Sequence, residues 1–219
     1  MTDQRQPTEL DRIAEEWVDT LCDLDPDYRV WLGRDGDVTG YGDLSPEGHA
    51  AWEAAATRTL SALDAATAVD DVDRVTQADL TAELRLAVET SAARWHLRDL
   101  NNIASPAQAL RDVYDLMPAE AESDWATIAA KLGNLGGALQ GYRETLRQGI
   151  REGHIPARRQ IDEVITQAER NAGDDGFFVT FATVTAPTDL PESLRNKLRA
   201  NSELARSAYG EFADFLRDE

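Results

Sequence analysis

The 219-residue chain is predicted to be all-α, an antiparallel multi-helix bundle of about seven helices, on three observations. Apolar residues recur at steps of three and four through almost every segment, which stacks them on one face of a helix. Proline falls at the starts of those segments or between them, and one glycine series lies inside the longest. Only residues 177–185, FFVTFATVT, have the aromatic and β-branched content that strands favour, and one strand has no partner. That stretch is expected to be a buried irregular or helical segment, with a short extended piece as the alternative.

Taken in order, Pro7 and Thr8 open the first helix, which buries Leu10, Ile13, Trp17, Leu21 and Leu24 and ends before Asp25-Pro26. Residues 26–45 carry Gly33, Gly36, Gly40 and Gly42 among aspartates. They lack the strand-turn-helix context of a dinucleotide loop and the alternating acids of a calcium loop, and read as an ordinary surface loop. Ser45-Pro46 starts a second helix, a capping hydroxyl followed by proline at the first helical position. Thr76 is expected to cap a third, through Leu80, Leu84, Val88 and Trp95, and Ser105-Pro106 opens a short fourth ending near Met117-Pro118.

Ser123 begins the longest helix, whose seam runs Ile128, Leu132, Leu135, Leu139, Tyr142, Leu146, Ile150. Gly133, Gly137 and Gly141 lie within it. Three mid-helix glycines cost on the order of 3 kcal/mol against alanine, so close approach of a neighbouring backbone is expected along this ridge. Gly153 caps the helix, Pro156 opens the next, and Gly173 closes that one. Pro191 opens the last, carrying Leu194, Leu198, Leu204, Ala208, Phe212 and Leu216. Apolar residues still arrive at helical spacing in FADFLRDE, so residues 1–219 are read as a single helical domain, the N-terminal piece of a longer chain.

Charge narrows the partners. With 41 acidic residues against 22 basic ones and a net charge of −19, nucleic acid and anionic lipid would be repelled. No apolar run approaches the roughly 20 residues of a membrane helix, and MTDQRQPTEL is no signal peptide, so a cytoplasmic location is expected. Cys22 is the single cysteine, which rules out an internal disulfide, and its leucine neighbours mark it as a buried thiol. Almost all positive charge is arginine; Lys131 and Lys197 are the only lysines.

Catalytic patterns are absent. His49, His96 and His154 show no HExxH spacing, no glutamate precedes a histidine by three positions, and GxSxG and P-loop motifs are missing. The chain by itself is therefore expected to hold no metal or cofactor and to catalyse nothing. One segment stands out against the acidic background: Arg151–Val164, with His154 and the Arg158-Arg159 pair. Half of it is helix punctuation. The arginines either pair with Asp162 and Glu163 on a surface turn or receive a carboxylate at a helix N-terminus, from a peptide or from another domain.

The order of pieces carries a resemblance. The Trp31–Gly40 loop, "DLSPEGHAAWEAA", "ALRDVYDLMP", "DWATIAAKLGNLGGALQGYRETLRQGI", the Gly153 to Gln160 segment and the following Phe-Phe together resemble the N-terminal half of the bacterial family known as domain of unknown function 885. Members of that family look like helical zinc peptidases of the HExxH kind. The resemblance implies zinc for a longer parent, bound by a motif beyond Glu219, and no metal ligand can be carried onto this sequence. It further implies that the piece is a non-catalytic scaffold forming one wall of a peptide-substrate cleft. Its expected partners are then the remaining half of the parent chain, a peptide, or a second copy that covers apolar surface. The alternative is a stand-alone helical interaction domain without enzymatic activity.

Overall fold

The computed structural model describes residues 5–219, and every described element is helical or a turn. Helix α1 (Glu9–Leu24) starts at a capping box in which Thr8 accepts from the Asp11 amide and the Asp11 carboxylate accepts from the Thr8 amide. A short α2 (Asp27–Leu32) follows within the stretch expected to be loop, ended by Gly33 in the left-handed region at φ 64°. Helix α3 (Pro46–Ala65) begins at Ser45 as expected, its hydroxyl accepting from the Gly48 amide at 3.3 Å. Helix α4 (Asp71–Ala92) begins five residues before the expected cap. Asp70 caps the Asp73 amide at 2.8 Å, so the acidic VDDVD run is the first turn of the helix, where carboxylates complement its dipole.

Arg94, at φ 57°, breaks the chain out of α4 into the 3-10 turn Trp95–Arg98. Helix α5 (Pro106–Asp112) runs into a second 3-10 turn, Val113–Asp115. The 31-residue α6 (Glu122–Glu152) ends at Gly153, at φ 76°, and α7 (Arg158–Ala172) follows. Pro156 lies two residues ahead of α7 rather than at its first position; Ala157 is the N-cap. Phe177–Thr180 forms one helical turn, α8, continued by a π turn over Phe181–Thr185, so the β-prone residues bury their rings in helical geometry. Helix α9 (Glu192–Asp218) closes the bundle.

Two cores result. The small one joins α1, α3 and α4 around Leu10, Trp17, Leu63 and Leu84. The large one joins α5 to α9 around Trp125, Leu132, Tyr142, Val164, Phe178, Leu198 and Phe212. Helices α3 and α4 are antiparallel, Glu53 near the start of one meeting Ser91 near the end of the other, and so are α7 and α9, where Arg206 meets Ala172 while the later Arg217 meets the earlier Glu169. The pair α6 and α9 runs in the same direction. Asn201 donates to Ala129 O at 2.6 Å at one end, and Arg147 pairs with Glu219 at 2.7 Å at the other.

The glycine ridge is not a continuous contact. A Cβ at Gly141 would sit 3.0 Å from the Ser45 amide nitrogen, and one at Gly133 would press on the Asn201 side chain, but one at Gly137 would meet open space. The expected ridge is thus corrected to one tight backbone approach at Gly141. The closest approach on α6 is at buried Gly149, where a Cβ would collide with the carbonyls of Leu97 and His154. Those contacts seat the Trp95–Arg98 turn on the end of α6.

The 26–45 loop is likewise more than surface decoration. Fully buried Lys131 reaches out of α6 to bond Asp27 Oδ1 and Gly40 O, each at 2.5 Å, and Val38 O at 3.2 Å. Its ammonium lies 3.9 Å from the Tyr41 ring. Burial pushes the Asp27 carboxyl up and the lysine down, and their mutual attraction opposes both shifts. Asp25 Oδ1 accepts from the amides of Asp27 and Gly42, and Thr145 donates to Leu44 O at 2.7 Å, so the loop is tied to α6 along its length.

Candidate functional site

Where the two cores meet, the surface opens into a cleft of about 770 Å³. Helix α2 and the 41–44 end of its loop form one side, α3 and α4 another, and the Trp95–Arg98 turn with α5 the floor and far wall. Each wall is positioned by a local feature already described: Lys131 holds the loop, Gly149 admits the 95–98 turn, and Gly48 admits the loop to α3. A Cβ at Gly48 would collide with the Asp43 carbonyl, so only glycine lets the chain fold back over the helix start.

One wall is aromatic. Trp31, 46% exposed, packs edge-on against Tyr28 at 4.9 Å; Tyr28 meets Trp52 at 5.9 Å, and Trp52 meets buried Trp17 at 6.1 Å. The series runs from solvent into the small core. Burial pushes the Tyr28 hydroxyl up, with Asp25 and Glu83 adding to the shift, so it remains a neutral phenol.

Two histidines converge there from distant parts of the chain. His49, on the first turns of α3, stacks on His96 in the 3-10 turn, with ring centroids 4.5 Å apart and planes 26° apart. Burial, and then the neighbouring His96, push His49 down to about 4; the Asp43 carboxylate works in the opposite sense. His96 is pushed down by burial first and Arg94 second, with His154 adding to the effect and Glu53 and Glu152 opposing it. Near neutral pH both rings are therefore uncharged. Arg94 itself is clamped by Glu152 in a two-pronged pair at 2.6 to 3.1 Å, which locks the turn's entry to the end of α6.

The remaining polar groups are carboxylates. Glu53 accepts from the Ser91 hydroxyl at 2.5 Å. Asp99, at the floor, has no hydrogen bond or ion pair to its carboxylate among the described residues, and burial alone pushes it up. No hydrogen bond joins either imidazole to Ser91 or Glu53 among the described residues. Among the described residues no three His, Cys, Asp or Glu side chains converge to hold an ion. Stacked imidazoles meet face to face, while their coordinating lone pairs lie in the ring planes. What the cleft offers is aromatic faces, two uncharged imidazoles and carboxylates.

The segment singled out by sequence lies outside this cleft. His154 is half-buried, and its amide donates to Gly149 O at 2.8 Å, close behind His96. Arg158 is 91% exposed, with Asp162 at 3.5 Å, and Arg159 is exposed as well. The structure brings His154 near the histidine pair and leaves the two arginines on the first turn of α7, facing solvent. Missed by sequence reasoning were Lys131 with Asp27, and the meeting of His49 with His96. The one available signal was Lys131 itself, one of two lysines in an arginine-rich chain, set on the longest helix.

No helix among the described residues is long and apolar enough to cross a membrane. No curated protein matches the chain. The model of a family described as a bacterial protein of unknown function matches residues 26–219, a span that takes in every wall of the cleft and all of the large core. The chain belongs to that family, DUF885.

Proposed function

We propose that this chain is the non-catalytic helical N-terminal part of a zinc-metallopeptidase-like protein, and that the cleft between its two cores is one wall of the substrate cleft. The family match over 26–219 carries this reading, together with the ordered resemblance of its motifs to the N-terminal half of HExxH peptidase-like proteins. An open, aromatic-walled cleft supports it as the surface a substrate would meet. The residues present do not fit a zinc ion, so no catalytic step is assigned to them.

Two measurements test the reading. The reading frame after Glu219 is expected to continue into an HExxH helix; a stop codon there overturns the proposal in favour of a stand-alone interaction domain. Dialysed protein is expected to retain no zinc by atomic absorption, and stoichiometric zinc would overturn the non-catalytic assignment.

A further inference from the structure

We propose that the stacked rings of His49 and His96 form an acid-sensitive latch between the two units of the fold. Uncharged, they hold α3 against the Trp95–Arg98 turn; protonated, they part, and the cleft they line opens while each core stays folded. Such a latch is independent of the peptidase reading above.

The two rings belong to different units. His49 stands on α3, which contributes Ala55, Ala56 and Leu63 to the small core. His96 stands on a turn fastened to α6 of the large core. Gly149 admits the Leu97 carbonyl, Arg94 grips Glu152 just ahead of the turn, and the Tyr142 hydroxyl donates to Asp99 O at 2.5 Å just behind it. The stack is therefore a contact across the junction. A pivot lies one turn before His49, where the Ser45 amide sits close against Gly141 and Thr145 donates to Leu44 O. Parting the rings needs only a small swing of α3 about that point.

This contact tolerates one charge state. Imidazole lone pairs lie in the ring plane, so rings stacked face to face cannot share a proton through an N–H···N bond as edge-on rings can. Neither ring has a hydrogen-bond partner among the described residues. A proton on each would put two positive charges on half-buried rings whose centroids are 4.5 Å apart. Burial sets both rings low, His49 at about 4, helped at His49 by His96 and at His96 by Arg94 and then His154. The carboxylates act the other way: Asp43 of the loop on His49, Glu53 of α3 and Glu152 of α6 on His96. Parted rings in water return to the ordinary value of 6.5. The open form thus takes up protons that the closed form refuses, and falling pH drives the opening.

The test is an NMR titration of the imidazole signals, which number three in this chain and are assigned by single His→Gln changes. A stacked pair that stays shut must titrate with a Hill coefficient below about 1, because the first proton repels the second. A latch is expected to do the opposite. His49 and His96 should move together in one step below 6.5, with a Hill coefficient approaching about 2. His49→Gln should return His96 to a single-proton step at higher pH. Nitroxides at Arg58→Cys on α3 and Arg151→Cys at the end of α6, in a Cys22→Ala background, should move apart over the same step. Helical circular dichroism should persist through it. Anticooperative or independent titration, an unchanged label distance, or loss of the helical signal in the same step overturns the proposal. If a substitution disturbs folding, the Hill coefficient of the unaltered chain, read with its circular dichroism, decides alone.

Discussion

Seven buried apolar residues close the core under α1, α3 and α4, and three of them are alanines; 28 close the core of α5 to α9, with five rings packed edge-on or tilted around Tyr114 and Phe181. The first unit also leaves Val72, Val75 and Leu86 exposed along α4, and Val69 just ahead of it. What it lacks in buried area it makes up in polar fastening. Buried Asp73 accepts from the Thr8 hydroxyl, the Val69 amide and Arg5, pinning the starts of α1 and α4 together. Gln77 caps the end of α3 by donating to Leu63 O and Ala66 O. The large unit places its polar anchor at its edge, where Lys131 holds the loop that the two units share. Apolar burial scales with area, about 25 cal/mol per Å², so a thin layer of helices needs directional bonds where a thick one does not. The cleft lies along the line where the two kinds of stabilisation meet.

The largest test of this contrast is Lys131→Ala. It strands buried Asp27, unties the loop from α6, and is expected to cost about 3–5 kcal/mol in urea denaturation. The paired change Lys131→Met with Asp27→Leu should recover much of that, since neither charge is then left alone; no recovery would mean that the carbonyl bonds to Val38 and Gly40 dominate.

Next in size is Leu84→Ala, a cavity in the small core, expected to cost about 3 kcal/mol. Its sharper readout is hydrogen exchange. Amides of α3 and α4 should lose protection while those of α6 keep it, because the thin unit opens without the thick one. Uniform loss across both would show a single cooperative core.

Acid should act at the junction. His49 is held at about 4 in the folded chain against 6.5 unfolded, so the unfolded state binds the extra proton between those values. This group's contribution to stability is full above pH 6.5 and falls as pH drops toward 4, by on the order of 3 kcal/mol. His49→Gln should flatten that part of the pH profile; an unchanged profile would assign the acid loss to carboxylates elsewhere.

Smaller is Gly137→Ala. With open space around its Cβ, helix propensity alone decides, and stabilisation by up to about 1 kcal/mol is expected. The same change at Gly149 should destabilise strongly, since carbonyls of two segments occupy that space. Smallest is Arg158→Ala with Arg159→Ala, which should leave the melting midpoint within about 2 °C, as both side chains face solvent. A larger drop would mean that they brace α7.

Helical spacing and punctuation made most of the fold legible. The starts at Ser45-Pro46 and Ser105-Pro106, the stop at Gly153 and the long seam of α6 are local features, encoded by side chains that act on their own backbone within a turn. Asp70 shows where that reading slips: an acidic run looks like a break until a capping bond makes it a first turn. The cleft was not legible in the same way. Trp31, Trp52, His49, His96 and Asp99 are ordinary residues in ordinary patterns, and nothing in their spacing announces that they share a surface.

The chain's own order of residues thus settles its all-α class and most of its long helices, because those depend on interactions a few residues apart. Only the tertiary structure decides that Lys131 is a buried anchor rather than a solvated lysine, that Gly137 is open while Gly149 is tight, and that two histidines 47 positions apart stack at 4.5 Å. Those outcomes depend on which faces meet across long stretches of chain. Packing, unlike helix formation, is decided between segments that the sequence lists far apart.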